Sequence, residues 1–211
     1  MAAAPPLRLA VLLSGGGRTL LNLLDAVARG ELHATIPLVI SSRRSAAGVA
    51  RARARGLEVL VVRPRDYPDA RAFAQAQTAH LLAVRPDLVV MAGYLVHYPV
   101  PRELAGRILN IHPALLPRHG GRGMYGDRVH AAVLAAGERE SGCTVHLVDD
   151  EYDHGPVLAQ ARVPVLPDDD VGALAARVFE AECATYPRVI ADYGQRLRDE
   201  GRLPRAAAAG R

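Results

Sequence analysis

The chain has 211 residues, half of them hydrophobic and 23% charged, with a formal net charge of +4. This is ordinary globular composition, long enough for one full core and without the apolar run that a membrane span needs. The cationic residues are all arginine, which excludes a Schiff-base lysine and a lysine-dependent phosphate loop, and the 4% of aromatic residues offers no stacking platform for nucleic acid.

The first apolar segment, "LRLAVLLS" (7–14), runs straight into glycines and lacks a basic leader and a cleavage site, so it reads as a strand covered on both faces rather than a signal peptide. "RTLLNLLDAVARG" (18–30) has helical spacing and stops at Gly30. Strand 35–42 follows, then a helix over 45–56 with Ser45 as a possible cap and Gly56 as its stop. Strand 57–62, helix 68–85, strand 87–93 and strand 107–112 continue the alternation, which predicts an α/β fold with a doubly wound, mostly parallel sheet and helices on both faces. Beyond residue 125 come helix 127–137, two strands over 141–150 and 155–165 expected to pair antiparallel, and 168–197 as one helix or two broken near Pro187. The organisation is one domain over 1–200 with a frayed tail over 201–211. Cys143 and Cys183 have no metal or redox spacing and fit a reducing, cytoplasmic setting.

"SGGGRTL" (14–20) joins the first strand to the first helix, where an open parallel sheet binds phosphate. Gly15 and Gly17 fit the dinucleotide pattern, but Leu20 stands where its third glycine belongs, and the second strand ends in Ser41-Ser42-Arg43 without a ribose-binding acid. The turn therefore favours a phosphate monoester, with Arg18 and Thr19 adding a cation and a hydroxyl; a tight turn without ligand is the alternative.

"ILNIHPALLP" (108–117) ends a strand in Asn110 and His112, two residues apart and so on one side. An amide donor beside an imidazole can hold the oxygen of a carbonyl under attack, and the imidazole can move a proton. A satisfied buried histidine next to an asparagine cap is the alternative. "VDDEYDHGP" (148–156) supplies acids, one of which near His112 would raise its pKa. His146, Asp149, Asp153 and His154 match no metal-ligand spacing. With no Gly-x-Ser-x-Gly elbow and no cysteine near a base, the nucleophile is expected from a substrate.

"VLLSGGGRTLLNLL", "PDLVVMAGY", "ILNIHPALLP", "SGCTVHLVDDEYDHGPVLAQ" and "EAECATYPRVI" occur in the order found in glycinamide ribonucleotide formyltransferases, which the chain resembles over about residues 8–195. The resemblance implies a Rossmann-like formyltransferase fold and transfer of a formyl group from 10-formyltetrahydrofolate to the amine of glycinamide ribonucleotide, a step of purine biosynthesis, with no metal. It implies that Asn110 and His112 stabilise the oxyanion, that His112 is the general acid, and that Asp153 raises the pKa of His112 and orders a water. It assigns the ribonucleotide to Gly17, Arg18, Thr19 and Glu182. It assigns the folate to Leu95, Val96, His97, Tyr98 and Asn110, and to Asp149, Asp150, Glu151, Tyr152 and Asp153.

Three departures stand out. The phosphate turn is "GGGRT" where many members have Gly-Asn-Gly-Ser-Asn. The Gly-rich segment 118–127 is longer than in many members and reads as a lid, with His119, Arg122 and Tyr125 either solvated or touching ligand. The arginine that meets the folate tail has no clean match, Arg71 lying near its place. The partners implied are small molecules, with the chain as a monomer or homodimer. Rivals are a formyltetrahydrofolate hydrolase, expected to carry an extra N-terminal domain, a sugar-amine formyltransferase and a phosphate sensor without chemistry.

Overall fold

The computed structural model describes residues 4–203. Strand β1 (Leu7–Leu13) is buried at every residue but Arg8, as expected of a strand flanked by strands and covered on both faces. Leu7, Leu9, Val11 and Leu13 face one core and Ala10 and Leu12 the other, the period of two expected of a strand. Helix α1 (Arg18–Ala28), strand β2 (Ala34–Ser41), helix α2 (Ala47–Ala54) and strand β3 (Val59–Val61) build outward on one side of β1. Helix α3 (Ala70–Ala83), strand β4 (Leu88–Met91) and strand β5 (Ile108–His112) return on the other side. Helix α4 (Asp127–Ala135), strands β6 (Glu140–Leu147) and β7 (Val157–Pro164) and helix α5 (Val171–Asp199) complete the chain.

The seven strands form one sheet in the order β3-β2-β1-β4-β5-β6-β7. The first five are parallel, whereas β5–β6 and β6–β7 are antiparallel. Helices α1, α2, α4 and α5 contribute to the core on one face, and α3 with the segment 94–104 covers the other. The direction of winding reverses between β1 and β4, and it is at the C-terminal ends of strands at such a reversal that open sheets form a crevice. Ser14 stitches its floor. Its Oγ meets Ser42 Oγ at 2.6 Å and accepts the Leu95 N–H at 2.9 Å, while its own N–H donates to the Gly93 carbonyl.

Two local expectations are corrected. Ser45 does not cap α2: the N-cap is Ala46, with no side-chain bond, because the preceding turn is closed by Ala46 N–H to the Arg43 carbonyl. Of the two forms open for the last segment, α5 is the single helix, 29 residues long with Pro187 inside it. Proline removes the amide that would bond the Cys183 carbonyl. Asn22 Nδ2 on α1 donates to that carbonyl at 3.0 Å and takes the missing place. Two short 3₁₀ turns, Pro64–Asp66 and Arg102–Leu104, had no counterpart in the sequence reading. Of the tail, Leu203 is buried in the core, and 204–211 lie outside the described residues.

Candidate active site

A cleft of about 570 Å³ opens at the C-terminal ends of β1, β4 and β5. One end is the glycine turn. Gly17 caps α1 in the left-handed conformation, φ +75°, and a Cβ there would lie 2.7 Å from the Gly48 Cα, so only glycine fits. No side chain caps α1 and no acid sits in its first turn, which leaves its first N–H groups and positive dipole end to an anion. Arg18 and Thr19 line the cleft here. The Arg18 guanidinium stacks 4.3 Å over the Phe179 ring on α5, which holds its charge in place without using its N–H donors. Glu182, one turn further along α5, is also in the wall; burial pushes its carboxyl up to about 7, and the Arg18 charge opposes the rise.

The other end holds Asn110, His112 and Asp153. The first two share one side of β5, as their spacing predicts, and Asp153 comes from the β6–β7 connection to meet both. Asp153 Oδ2 lies 3.4 Å from His112 Nδ1, and Oδ1 lies 3.4 Å from Asn110 Nδ2. Asp153 has φ +55°, a conformation rare outside glycine, and its Oδ2 accepts the Gly121 N–H at 3.0 Å. Burial pushes the Asp153 carboxyl up, but the flanking His146 and His112 rings and the Gly121 N–H outweigh it and hold the group below its ordinary value.

His112 is buried, and its Nε2 donates to the His119 carbonyl at 2.8 Å, so its other nitrogen faces the carboxylate. Burial lowers its pKa; Asp153 and the His119 carbonyl pull it back only part of the way. Asp153 raises this pKa as expected, and desolvation of the ring, the larger effect, sets the net direction downward.

His146, which the sequence tied to no metal-ligand spacing and no role, is the further neighbour. It lies opposite Asn110 in the β5–β6 ladder. Its Nδ1 donates to the Leu147 carbonyl at 2.9 Å, so its Nε2 accepts from Asn110 Nδ2 at 3.1 Å. One amide hydrogen of Asn110 is thus held by His146, and the other, facing Asp153 at a weak distance, is the one open to a ligand oxygen. His154 pairs instead with Asp149 at 2.9 Å.

The Gly-rich segment folds over this end. Thr144 Oγ1 pins its start, accepting the Leu116 N–H at 3.0 Å and donating to the Ala114 carbonyl at 2.6 Å. His119 is largely enclosed and faces Glu138 at 3.4 Å, while Arg122 and Tyr125 line the cleft. Of the residues expected on the folate side, Leu95, Asn110, Tyr152 and Asp153 line it. Val96 packs against the α3-side core. The His97 ring bonds the Asp150 carbonyl at 2.9 Å and lies 5.2 Å from Tyr152. Asp150 Oδ1 accepts the Val100 N–H, Asp149 accepts the Glu151 N–H, and Tyr98 is buried against Thr78. The His97 and Asp150 contacts latch two loops together, and none of Val96, His97, Tyr98, Asp149, Asp150 and Glu151 lines the cleft. Arg71 is exposed in the first turn of α3, away from the cleft lining.

An anion cradle and an amide–imidazole–carboxylate cluster sharing one crevice of a doubly wound sheet define a group-transfer enzyme. A family model described as formyl transferase matches residues 7–190. The phosphoribosylglycinamide formyltransferase of Haemophilus influenzae is 36% identical over 87% of this chain and 85% of its own. The trifunctional purine biosynthetic protein adenosine-3 of Drosophila melanogaster is 42% identical over 87% of this chain, which spans only 14% of that protein. The glycinamide ribonucleotide transformylase 1 structure from Symbiobacterium toebii superposes with a TM-score of 0.82 at 38% identity, over 90% of this chain and 88% of that one. The chain belongs to the formyl transferase family, in the branch of the phosphoribosylglycinamide formyltransferases.

Proposed function

We propose that the chain transfers a formyl group from 10-formyltetrahydrofolate to the amine of glycinamide ribonucleotide. The observation that carries this is the meeting of Asn110, His112 and Asp153 at one end of a cleft whose other end is an uncapped helix start flanked by Arg18. The phosphate would bind the N–H groups of Gly17, Arg18 and Thr19, and Glu182 would accept from the ribose hydroxyls. Leu95, Ile111, Met124 and Tyr152 form an apolar wall suited to a flat pterin ring. Leu95 to Tyr98 and Asp149 to Asp153 would hold that ring through their backbone.

The folate supplies an activated formyl carbon. The ribonucleotide amine attacks that carbon, and the carbonyl electron pair moves onto oxygen, where the free Asn110 N–H and the His112 ring, once protonated on Nδ1, receive the charge. The attacking nitrogen gives its proton to His112 Nδ1, and N10 takes that proton from the ring as the carbon–N10 bond breaks. Asp153 faces the Nδ1 side, so the proton that the ring gains is held between imidazole and carboxylate. The reading extends to one domain over 1–200 acting in the cytoplasm as a monomer or homodimer, consistent with two unpaired cysteines.

The test is formation of deformylated folate by pure protein. Turnover that requires glycinamide ribonucleotide supports the transferase. Turnover with water alone would mean a hydrolase, and none with any acceptor would leave a phosphate-binding module.

A further inference from the structure

His130, on α4, is a buried titratable side chain of the cleft that the mechanism leaves idle. The residue is 5% exposed, and its ring forms part of the cleft wall. Its Nδ1 is walled in by protein with no hydrogen-bond partner, which leaves Nε2 as the ring nitrogen open to a ligand in the cleft. Burial keeps the ring below its ordinary pKa. The charges acting on it are Asp127 of its own helix, His112 from β5 and Arg18 from α1. His130 therefore sits within electrostatic reach of both ends of the cleft. A sugar phosphate held at Gly17–Thr19 has to pass along this wall for its amine to reach His112.

We propose that His130 is a substrate-binding residue whose ring N–H donates to an oxygen of the sugar phosphate lying between Arg18 and His112. The inference rests on the proposed use of a ribonucleotide and names the class of ligand the wall accepts, a pentose 5-phosphate. A neutral imidazole beside a fixed guanidinium divides the work: Arg18 supplies charge, and His130 supplies direction.

Ribose 5-phosphate is the probe, titrated calorimetrically into the wild type, His130→Gln and His130→Leu. The glutamine retains a donor and should bind within about threefold of wild type, whereas the leucine should bind about tenfold more weakly. The KM for glycinamide ribonucleotide should follow the same order, with the KM for the folate within about twofold of wild type. Equal affinity in the three proteins, or a loss shared equally by both substrates, overturns the assignment. Should the leucine variant not fold, nitrogen NMR of histidine-labelled wild type decides: the His130 ring resonances move on adding ribose 5-phosphate, and resonances that stay still overturn it. Formyl transfer failing in the wild type while His130-dependent binding persists would reject the proposed reaction and leave this contact standing.

Discussion

The Asp153 carboxylate meets the Nδ1 side of His112 at 3.4 Å, while the Nε2 side of the same ring donates to the loop carbonyl of His119. The imidazole donates to a dipole on one side and faces a charge on the other, and both are delivered by connections rather than by the strand that carries the ring.

His112→Ala removes the proton carrier and Asp153→Asn the charge behind it. Each should lower kcat by about a hundredfold or more, with ribose 5-phosphate affinity within about threefold of wild type. Deformylated-folate kinetics and calorimetry read the two effects separately, and a near-normal rate in either variant removes that residue from the chemistry.

The His112 ring should titrate below the ordinary histidine value, since burial outweighs its partners. Asp153 opposes that shift, so Asp153→Asn should move the His112 midpoint further down. Histidine NMR titration gives both midpoints, and an upward move in the variant would contradict the sign assigned to Asp153.

Glu182 carries a stability cost that depends on pH. Its carboxyl is raised from about 4.5 to about 7 in the fold. Below both values it is protonated folded or unfolded and contributes no difference. As pH rises through this window the unfolded chain releases the proton first, and stability falls until the folded value is passed. Glu182→Gln should therefore be more stable than wild type at pH 8, by an amount on the order of 3 kcal/mol, and equal to it below about pH 4. Denaturant unfolding at the two pH values checks this, and the variant should bind ribonucleotide more weakly.

Gly17→Ala should damage fold and phosphate grip together. The new Cβ meets backbone, the Gly48 Cα at 2.7 Å, and φ is +75°. A loss of about 1–3 kcal/mol in unfolding free energy is expected, with ribose 5-phosphate binding weakened. Calorimetric unfolding and titration read both; an unchanged Tm would mean that the turn relaxes.

Tyr186→Phe tests how α5 is tied to the sheet. The fully buried hydroxyl lies 3.0 Å from the carbonyls of both Met91 and Leu109, on the neighbouring strands β4 and β5. Its removal should cost about 1–3 kcal/mol, or about 2–4 °C in Tm for each kcal/mol. Thermal unfolding within a degree of wild type would show that the bond carries no net weight.

The parallel half of the fold was legible because buried strands there are continuous apolar runs and helices end at glycines such as Gly30 and Gly56. Asn110 and His112 were legible from their spacing alone, and Asp153 from its acidic turn once the resemblance selected it. His146 was not, since its role depends on which residue of β6 faces Asn110, and no local pattern encodes a cross-strand partner. Pro187 left two readings of α5 open because the residue that completes the helix, Asn22, lies on another helix. His130 and Phe179 read as ordinary helix residues; only packing brings one into the cleft wall and the other beneath Arg18. The net direction of the His112 pKa was hidden for the same reason, as the sequence shows the charge beside the ring but not its enclosure.

The ladder that sets Asn110 against His146 has a further consequence for how this chain can change. Alternation along β6 puts His146 and Thr144 on the working side, so inserting a single residue between Glu138 and Ser141 would exchange them for Val145 and Cys143. The strand would still pair, yet the cleft would receive an aliphatic group and a thiol in place of imidazole and hydroxyl. Length changes in that short connection are thus a sharper threat to activity than most substitutions within it.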